Sequence, residues 1–406
     1  MAFKPKSITD FLTDLINRQN EARDTIQAFL KFRDSQPQCW RGVLAVPPGS
    51  PIDTVLEAFN RFTDIPLELP FFTLMHFVSG WLLEKRVIIK GSIGEFYPEL
   101  WTIVLADSGA GKTLAHDVIA KVAPVKSSFP EPASGARFIQ ALQQHNFSLW
   151  FQDEIAQKMK QIDTPQSPLS DIKEYLLRAY GNSKIERSTK METITIEKPC
   201  LGILGLNTPE SFFKSISQES LLDGFMQRFA CVIAEPDPAR NIYQNAEKYA
   251  IYDIETMSEI VAEAFAAIQT TPLHPEYIID VEGEAAFKSA FATLISSEIP
   301  LSYFRRVMFR SFKYAVLYHV VLGKKGNFID AEDIGWGARV SYMHLQDAVK
   351  LLNRDQFAEV KKLYGKAEKV KQRFQQLGKK FTSRDLQQNI WKMDGKTAKA
   401  LHELVK

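Results

Sequence analysis

Residues 101–117 of this 406-residue chain read Trp-Thr-Ile-Val-Leu-Ala-Asp-Ser-Gly-Ala-Gly-Lys-Thr-Leu-Ala-His-Asp. The apolar run at 101–105 predicts a buried strand, and the pattern at 114–122 predicts a helix. Between them, residues 106–113 follow the phosphate-loop pattern G-x-x-x-x-G-K-[ST], with Ala106 in place of the first glycine. A strand, this loop and a helix seldom follow one another by chance, so the stretch predicts an α/β fold built around a nucleotide-binding loop. The alternative is a glycine turn that binds no nucleotide.

The residue types in this loop explain how it would hold a nucleoside triphosphate. Gly109 and Gly111 let backbone N–H groups turn inward around a phosphate, and the start of the following helix favours an anion. Lys112 has the reach to contact the β- and γ-phosphates, and the Thr113 hydroxyl is a ligand for Mg²⁺. The residues predicted to line the nucleotide are Asp107, Ser108, Gly109, Ala110, Gly111, Lys112, Thr113 and Leu114.

A second signature follows about forty residues later. Residues 147–152 predict an apolar strand, and this strand ends in Asp153 and Glu154. In phosphoryl transfer Asp153 would hold Mg²⁺ through water, and Glu154 would orient and activate the attacking water. Strand ends also carry acids merely because they meet solvent. The spacing leaves room for one helix, strand and helix after the phosphate loop, and this favours the catalytic interpretation.

Two polar residues that follow or precede later strands complete the predicted site. The apolar strand at 200–206 delivers Asn207 to the same sheet edge as the phosphate loop, where a γ-phosphate sensor belongs. The alternative is an Asn that starts the Asn-Thr-Pro turn and caps the next helix. Arg228 ends a helix before the apolar strand at 230–234, and it would project from the subunit edge towards a γ-phosphate bound next door. A surface or salt-bridged arginine is the alternative for Arg228.

Three further patterns are relevant to the site. The helix predicted at 304–316 carries basic side chains beside an apolar face. Arg306 on this helix is a candidate nucleotide contact from a lid, and a solvated basic stripe is the alternative. Two short alternating runs within residues 181–196 predict a β-hairpin around a Ser-Thr-Lys tip. Residues 86–90 and 101–106 predict two strands around a turn at 91–94.

Four segments are predicted along the chain. They are an N-terminal helical domain at 1–84, an α/β core with a parallel sheet flanked by helices at 85–240, a mostly helical lid at 241–355 and a basic winged-helix-like module at 356–406. Residues 357–406 hold 13 Lys and Arg against 5 Asp and Glu, whereas the whole chain carries only +2. The helices of the module have the outline of a helix-turn-helix, and a basic three-helix interaction module is the alternative. The chain stops where wing strands would begin, so the module is expected to be incomplete.

Composition argues against several other classes. Cys39, Cys200 and Cys231 lie far apart without C-x-x-C spacing or a nearby histidine cluster, which indicates neither a disulfide framework nor a zinc site. The N-terminus lacks an apolar signal core, and Glu68, Pro70 and His76 interrupt the most apolar stretch, at 67–83. We therefore expect no membrane span and a location in the reducing cytoplasm.

Taken in order, these features resemble an AAA+ ATPase core. The resemblance is carried by the phosphate loop, the strand ending in Asp153-Glu154, the hairpin, the strand ending in Asn207, and Asp223-Gly224-Phe225-Met226-Gln227-Arg228-Phe229. More narrowly, about residues 69–323 resemble helicase-like ATPases of unassigned function from phages, plasmids and bacterial mobile elements, which are often linked to primase domains. This resemblance implies ATP and Mg²⁺ as cofactors and a homo-oligomeric ring, with six subunits. Its catalytic residues would be Lys112, Glu154, Asn207 and Arg228.

The hairpin is similar to the pore hairpin of superfamily-three and minichromosome-maintenance helicases. That similarity implies that Lys184, Arg187 and Lys190 line a central channel and contact DNA phosphates. Arg306 matches the spacing of the lid arginine of these helicases. No primase, polymerase or zinc motif is present in the sequence, so a primase or polymerase partner would lie on another chain.

These observations predict an oligomeric, ATP-hydrolysing motor that moves along or remodels DNA, with single-stranded DNA as the expected partner. A replicative helicase-like translocase of a mobile element or phage fits this description. The alternative is an ATP-switched DNA-binding or helicase-loading assembly protein with slow turnover. In a third interpretation the basic C-terminal module binds a protein or RNA instead of DNA.

Overall fold

The computed structural model describes residues 39–40, 44–188, 193–216, 220–221, 223–235, 252–295, 298–390 and 393–405. Ser35–Ala348 form one compact unit, and Val349–Lys406 belong to a second. The predicted divisions after residues 84 and 240 fall inside the first unit, and the predicted division after residue 355 lies close to the boundary between the two. The helical patterns before residue 39 lie outside the described residues.

Strands and helices are numbered in chain order within the described residues. The strands are β1 (Cys39–Trp40), β2 (Leu44–Ala45), β3 (Ile88–Gly91), β4 (Gly94–Phe96), β5 (Trp101–Leu105), β6 (Ser148–Gln152), β7 (Ile185–Ser188), β8 (Thr193–Ile196), β9 (Leu201–Asn207), β10 (Ala230–Ile233), β11 (Glu276–Ile279) and β12 (Phe328–Ile329). The helices are α1 (Pro51–Phe62), α2 (Glu68–Glu84), α3 (Lys112–Val122), α4 (Gly135–Gln144), α5 (Ile155–Asp163), α6 (Ile172–Tyr180), α7 (Pro209–Ser215), α8 (Ile254–Gln269), α9 (Val281–Leu294), α10 (Leu301–Val321), α11 (Ala331–Leu352), α12 (Arg354–Gln376), α13 (Ser383–Asn389) and α14 (Gly395–Val405). A 3₁₀ turn covers Met226–Arg228.

The centre of the first unit is a four-stranded sheet in the order β10-β5-β9-β6. All neighbouring strands run parallel, with Trp101 of β5 opposite Ile203 of β9, and Ile203 opposite Trp150 of β6. Both β5 and β9 are buried along their whole length, as expected for parallel strands covered on both faces. The predicted α/β fold with a parallel sheet flanked by helices is confirmed. β9 lies between the strand of the phosphate loop and the strand of the two acids.

Helix α2 covers part of this sheet and is buried along nearly all of its length. It packs against β5, β6, β9 and α3. In its middle, one ring nitrogen of His76 lies 2.8 Å from the Phe72 carbonyl and the other lies 3.0 Å from the Ile203 carbonyl on β9. Burial lowers the pKa of His76 to about 4, against the opposing effect of these carbonyls. Part of the segment predicted as an N-terminal domain therefore builds the core around the sheet.

A second four-stranded sheet, in the order β12-β11-β3-β4, lies in the same unit. β3, β11 and β12 run parallel, and β4 is antiparallel to β3. The predicted strands around residues 86–90 and 101–106 and the turn at 91–94 are present, but the turn joins β3 to β4, a strand that was not predicted. Gly94 in this turn has a φ of +107°, which favours glycine. The predicted lid segment also contributes two strands, β11 and β12, to this sheet.

The predicted hairpin is present. β7 and β8 pair antiparallel, with Ile185 opposite Ile196 and Ser188 opposite Thr193. Ile185, Ile194 and Ile196 are buried, which fixes one face of the hairpin against the unit. Residues 189–192 of the tip, which include Lys190, lie outside the described residues.

Helices α12, α13 and α14 form a small core in the second unit. Its buried residues are Ala367, Leu386, Ile390, Ala398, Leu401 and Val405. A capping box between Thr382 and Asp385 stabilises the start of α13. Across the described ranges of both units, no helix is long and apolar enough to cross a membrane.

Candidate functional site

The phosphate loop follows β5 at the carboxyl edge of the central sheet, where ligands of open α/β sheets bind. Gly109 and Gly111 have φ angles of +81° and +75°, in the left-handed region that favours glycine. Ala106 is buried, has no positive φ, and donates its N–H to the Asn207 carbonyl at 3.1 Å. Because the backbone at residue 106 needs no glycine, alanine is compatible with the loop there.

Lys112 begins helix α3, and its ammonium group turns back over the loop. Nζ donates to the carbonyls of Ala106 and Asp107, both at 3.0 Å. Gly111 is the left-handed N-cap of this helix. The first N–H groups of α3, which have no partner within a helix, are therefore next to the ammonium group. Together they supply hydrogen-bond donors and positive charge for a phosphate.

Thr113 at the start of α3 meets Asp153 directly after β6, although β5, the strand that leads to α3, does not pair with β6. The Thr113 hydroxyl donates to Asp153 Oδ2 at 3.3 Å, so the start of α3 approaches the end of β6 across β9. Hydroxyl and carboxylate oxygens suit Mg²⁺, which takes its remaining ligands from water and substrate phosphates. Within the described residues, no group of three or more His, Cys, Asp or Glu side chains is placed to hold a metal. The hydroxyl of Thr113 and the carboxylate of Asp153, at this distance from each other, fit a Mg²⁺ ion that a nucleotide would share.

Glu154 follows Asp153 in a left-handed conformation, with a φ of 52°, at the N-cap of α5. Its N–H donates to Asp153 Oδ1 at 3.0 Å, and its Oε2 lies 3.5 Å from the Ser211 hydroxyl. A non-glycine residue in this conformation is uncommon, and such strain clusters at functional sites. The side chain is exposed at the sheet edge that carries the phosphate loop. A water beside a bound γ-phosphate would be activated at this edge.

Asn207 is fully buried at the end of β9, between the loop and the two acids. Its Oδ1 accepts from the Ala156 N–H of α5 at 3.1 Å, and its Nδ2 donates to the Thr208 carbonyl at 3.1 Å. The amide thus satisfies a donor in the first turn of α5, directly after Glu154. The next helix, α7, is capped by Thr208 and not by Asn207, because the Ser211 N–H donates to the Thr208 hydroxyl. Asn207 lies at the predicted edge, with both ends of its amide bonded to protein.

Arg228 lies at the opposite, amino edge of the same sheet. It comes two residues before Ala230, the first residue of β10, which is opposite Thr102 of β5. The phosphate loop begins at Ala106, four residues further along β5, which is about 13 Å at ~3.3 Å per residue. The fold therefore does not bring Arg228 to the phosphate loop of its own chain.

Arg306 of α10 lies beside Arg228 and not at the phosphate loop. Arg306 donates to the side-chain oxygen of Gln227, and Arg228 donates through Nη1 to the Gly224 carbonyl. A Cβ built on Gly224 would lie 3.7 Å from Arg228 Nη1 and 3.9 Å from Arg306 Nη2, so the two guanidinium groups converge there. Burial and then the charge of Arg306 lower the pKa of Arg228. Helix α10 packs against the 3₁₀ turn and so holds Arg306 at this place, and its contact with nucleotide stays a prediction.

The described cations of the hairpin are paired within the chain. Lys184 forms ion pairs with two glutamates, each at 3.2 Å. The guanidinium carbon of Arg187 lies 5.9 Å from the centre of the Tyr175 ring, and Nη2 lies 3.9 Å from the Asp171 carboxylate. Contact with DNA phosphates would replace these interactions. Lys190 at the tip lies outside the described residues.

The turn between α1 and α2 contacts the phosphate loop, and this contact was not predicted. A Cβ built on Gly111 would lie 2.6 Å from the side chain of Ile65. The neighbouring Asp64 accepts a hydrogen bond from the Tyr252 hydroxyl, just before α8. Helix α8 packs against both α1 and α3. No local pattern marks Ile65, since its contact depends on chain segments that are far apart in sequence.

His116 is a second residue near the site that the sequence interpretation missed. Its ring stacks on Phe151 of β6, with 3.5 Å between the ring centroids. Burial lowers its pKa, and the adjacent Asp117 opposes that shift. The available signal was its spacing from Thr113, because helical residues three apart lie on one face. His116 therefore packs α3 against the strand that ends in Asp153.

No protein-family model matches this chain, and no curated protein matches it. The assignment of the site rests on its geometry. The carboxyl edge brings together the phosphate loop, Thr113, Asp153, Glu154 and Asn207. Arg228 and Arg306 converge at the amino edge.

Proposed function

We propose that this chain is an AAA+ ATPase that assembles into a ring with active sites shared between subunits, and that it uses ATP hydrolysis to move along or remodel single-stranded DNA. Replication of a phage or mobile element is the process that suits such a motor. One observation supports the ATPase part of the proposal: at the carboxyl edge Lys112 covers the loop while Thr113 bonds to Asp153 beside the exposed Glu154. These groups are the parts needed for phosphoryl transfer to water.

In this proposal water attacks the γ-phosphorus in line with the leaving group. Glu154 orients the water and accepts its proton, and Lys112 with the loop N–H groups holds the β- and γ-phosphates. Thr113 and Asp153 would hold Mg²⁺, which would supply positive charge beside the phosphate oxygens. Asn207 acts through α5 as a positioning residue. Arg228, with Arg306 beside it, contacts the nucleotide of the adjacent subunit.

Mixing two inactive variants tests the shared site. Lys112→Ala removes the phosphate contact, and Arg228→Ala is expected to lower turnover by about 10³-fold or more. In mixed rings some interfaces join an intact loop to an intact arginine, so an equal mixture should recover about a quarter of wild-type turnover. Arg137→Ala, an exposed arginine on α4, is the control and should stay active. Turnover per subunit should also fall on dilution below the assembly concentration. A mixture that forms mixed rings and stays inactive contradicts the shared site.

ATP turnover with and without single-stranded DNA tests the motor. DNA should stimulate the wild type, Lys112→Ala should be inactive under both conditions, and Arg187→Ala should keep basal turnover while losing the stimulation. If single-stranded DNA neither binds nor stimulates, the motor proposal fails and the ATPase assignment stands by itself.

A second candidate function is an ATP-switched DNA-binding or helicase-loading protein with slow turnover. The pairing of Lys184 and Arg187 within the chain favours it, because paired cations offer fewer contacts to a moving strand. A forked duplex distinguishes the two functions. A motor separates the strands during ATP hydrolysis, whereas a loader binds the fork and leaves it paired.

A further inference from the structure

An open groove of about 500 Å³ lies at the amino edge of the central sheet, on the side opposite the phosphate loop. Phe147, directly before β6, donates its N–H to the carbonyl of Cys200, directly before β9, and this places the groove beside the strand starts. The base of the hairpin forms the other side. Arg86, Tyr97, Phe147 and Lys198 are among the residues that line the groove.

Arg86 and Phe147 form a stack on the groove wall. The guanidinium carbon of Arg86 lies 3.6 Å from the centre of the Phe147 ring, and the Tyr97 ring meets Phe147 edge-on at 4.8 Å. Phe147 is only 5% exposed whereas Arg86 is exposed, so the ring is a buried support and the guanidinium group is the outer layer. A guanidinium plane held in this way offers its outer face for stacking and its N–H edge for hydrogen bonds.

The backbone holds both members of the stack in an unfavourable conformation. Arg86 has a φ of 58° and Phe147 a φ of 65°. A positive φ is a genuine outlier for a bulky residue, and such outliers cluster at ligand sites. Hydrogen bonds fix both positions: the Arg86 N–H donates to the Leu83 carbonyl at 2.9 Å, and the Phe147 N–H donates to the Cys200 carbonyl at 2.9 Å. The stack is thus fixed before any ligand arrives.

The charge around the groove suits an anion. Lys198 is exposed on the groove wall, and the adjacent Glu197 is already paired with Lys184 at 3.2 Å. Within the described part of the chain, no ion pair joins Arg86 or Lys198 to a carboxylate. Two cations beside a stacking surface are the combination that binds the base and the phosphate of a nucleotide in a single strand.

We propose that this groove binds one nucleotide unit of a single-stranded nucleic acid, with the base stacked on the outer face of Arg86 and the phosphate at Lys198. The inference rests on the proposed action on nucleic acid and adds a contact that is separate from the hairpin cations. It puts part of the path of the strand at the amino edge, away from the nucleotide that is hydrolysed.

Binding of a fluorescently labelled 20-residue oligodeoxythymidylate, measured by anisotropy in EDTA without ATP, tests the groove. Arg86→Lys keeps the charge but loses the plane, so affinity should fall about tenfold with an unchanged salt dependence. Lys198→Gln should reduce the slope of log affinity against log salt by about 0.7, the value of one phosphate contact in a single strand. Arg86→Glu should weaken binding further, whereas Lys160→Glu, the same charge change at an exposed lysine of α5, should leave it unchanged. Melting temperatures report whether each variant is folded.

The outcomes of this assay decide the inference, and the last of them separates it from the ATPase proposal. Unchanged affinity in folded Arg86→Lys and Arg86→Glu overturns the inference, and so does a wild type that binds no oligonucleotide. Thymidine monophosphate is the last probe. If its affinity equals the affinity of the oligonucleotide expressed per nucleotide, the groove is a site for free nucleotides and the inference is overturned. Because the assay contains no ATP, a wild type that binds through Arg86 but hydrolyses no ATP keeps the inference and overturns the ATPase proposal.

Discussion

Gly111 meets two separate structural requirements. Its φ of +75° is in the region that costs other residues about 1–2 kcal/mol, and a Cβ there would lie 2.6 Å from Ile65. Gly109 meets only the first requirement, because its φ is +81° and nothing lies within 4 Å of a Cβ built on it. The two glycines therefore separate backbone strain from steric contact within one loop.

We expect Gly109→Ala to lower the free energy of unfolding by about 1–2 kcal/mol, and Gly111→Ala by roughly a further 1–3 kcal/mol because of the overlap with Ile65. Urea unfolding measures both values. Ile65→Ala combined with Gly111→Ala should remove the steric part of the loss and leave the strain. If Gly109→Ala and Gly111→Ala lower the free energy of unfolding equally, the α1–α2 turn moves away from a new Cβ at residue 111 without cost. That result would contradict a close contact with Ile65.

The phosphate loop was predictable residue by residue, and its surroundings were not. The left-handed turns at 109 and 111, the lysine at 112 and the hydroxyl at 113 are requirements of local backbone and phosphate chemistry, so they leave a local pattern. Ile65 contacts the loop across 46 residues of sequence, and its type, a common apolar residue, marks no such contact. Ala106 departs from the pattern without effect on the backbone, which only the φ angles could reveal.

At the scale of the element, the first turn of α5 depends on a side chain from β9. Asn207 Oδ1 accepts the Ala156 N–H, and Gly205 leaves room for Ile155, since a Cβ there would lie 2.7 Å from Ile155 Cγ1. Glu154 immediately precedes this turn. The direction of the Glu154 carboxylate is therefore coupled to the end of a buried strand.

Asn207→Ala should lower kcat for ATP by about 10–100-fold with little change in KM, because a small displacement of Glu154 affects the attack of water more than the binding of nucleotide. It should also destabilise the protein by about 1–3 kcal/mol, since the Ala156 N–H loses its partner. Steady-state kinetics and urea unfolding measure these effects.

Thr208→Ala is the matched control for this variant. It removes the cap of α7, at a cost of about 1 kcal/mol, and leaves the start of α5 intact. A change in KM without a change in kcat for Asn207→Ala would show that the amide contacts the nucleotide directly.

The order of the elements was predictable because carboxyl ends of parallel strands meet at one edge, and this principle places Thr113, Asp153 and Asn207 together. The position of α10 was not predictable from the sequence. Arg306 was expected at the nucleotide, but it lies beside Arg228, 78 residues earlier, through the packing of α10 on the 3₁₀ turn. Pairing of β11 with β3 likewise joins segments that no local periodicity connects. Local patterns predict an element and its ends, and long-range packing decides its neighbours.

At the scale of the whole molecule, His76 makes stability depend on pH. Its pKa is about 4 in the folded protein and about 6.5 in the unfolded chain, so the unfolded state takes up a proton first as the pH falls. The stabilisation is therefore complete above pH 6.5 and is lost between about pH 6.5 and pH 4. The total loss is about 3 kcal/mol.

Urea unfolding between pH 7.5 and pH 4 checks this prediction against His76→Gln. The variant should be less stable than the wild type at pH 7.5, and its stability should fall less steeply with acid because glutamine does not titrate. Other titrating groups, such as the buried Glu99, are common to both proteins and cancel in the difference. Parallel pH profiles for the two proteins would contradict a neutral, buried His76.

The phosphate loop and the arginine pair lie at opposite edges of one sheet, which gives each subunit a direction. If Arg228 completes a neighbour's site, the amino edge of one subunit must face the carboxyl edge of the next. Two subunits related by a two-fold axis would instead bring identical edges together and would complete no site. An open chain of n subunits then contains n − 1 finished sites, because the subunit at one end keeps an unfinished loop. Closing the chain adds a working site without adding a subunit. Ring closure, and not the number of subunits alone, would set the upper limit of activity.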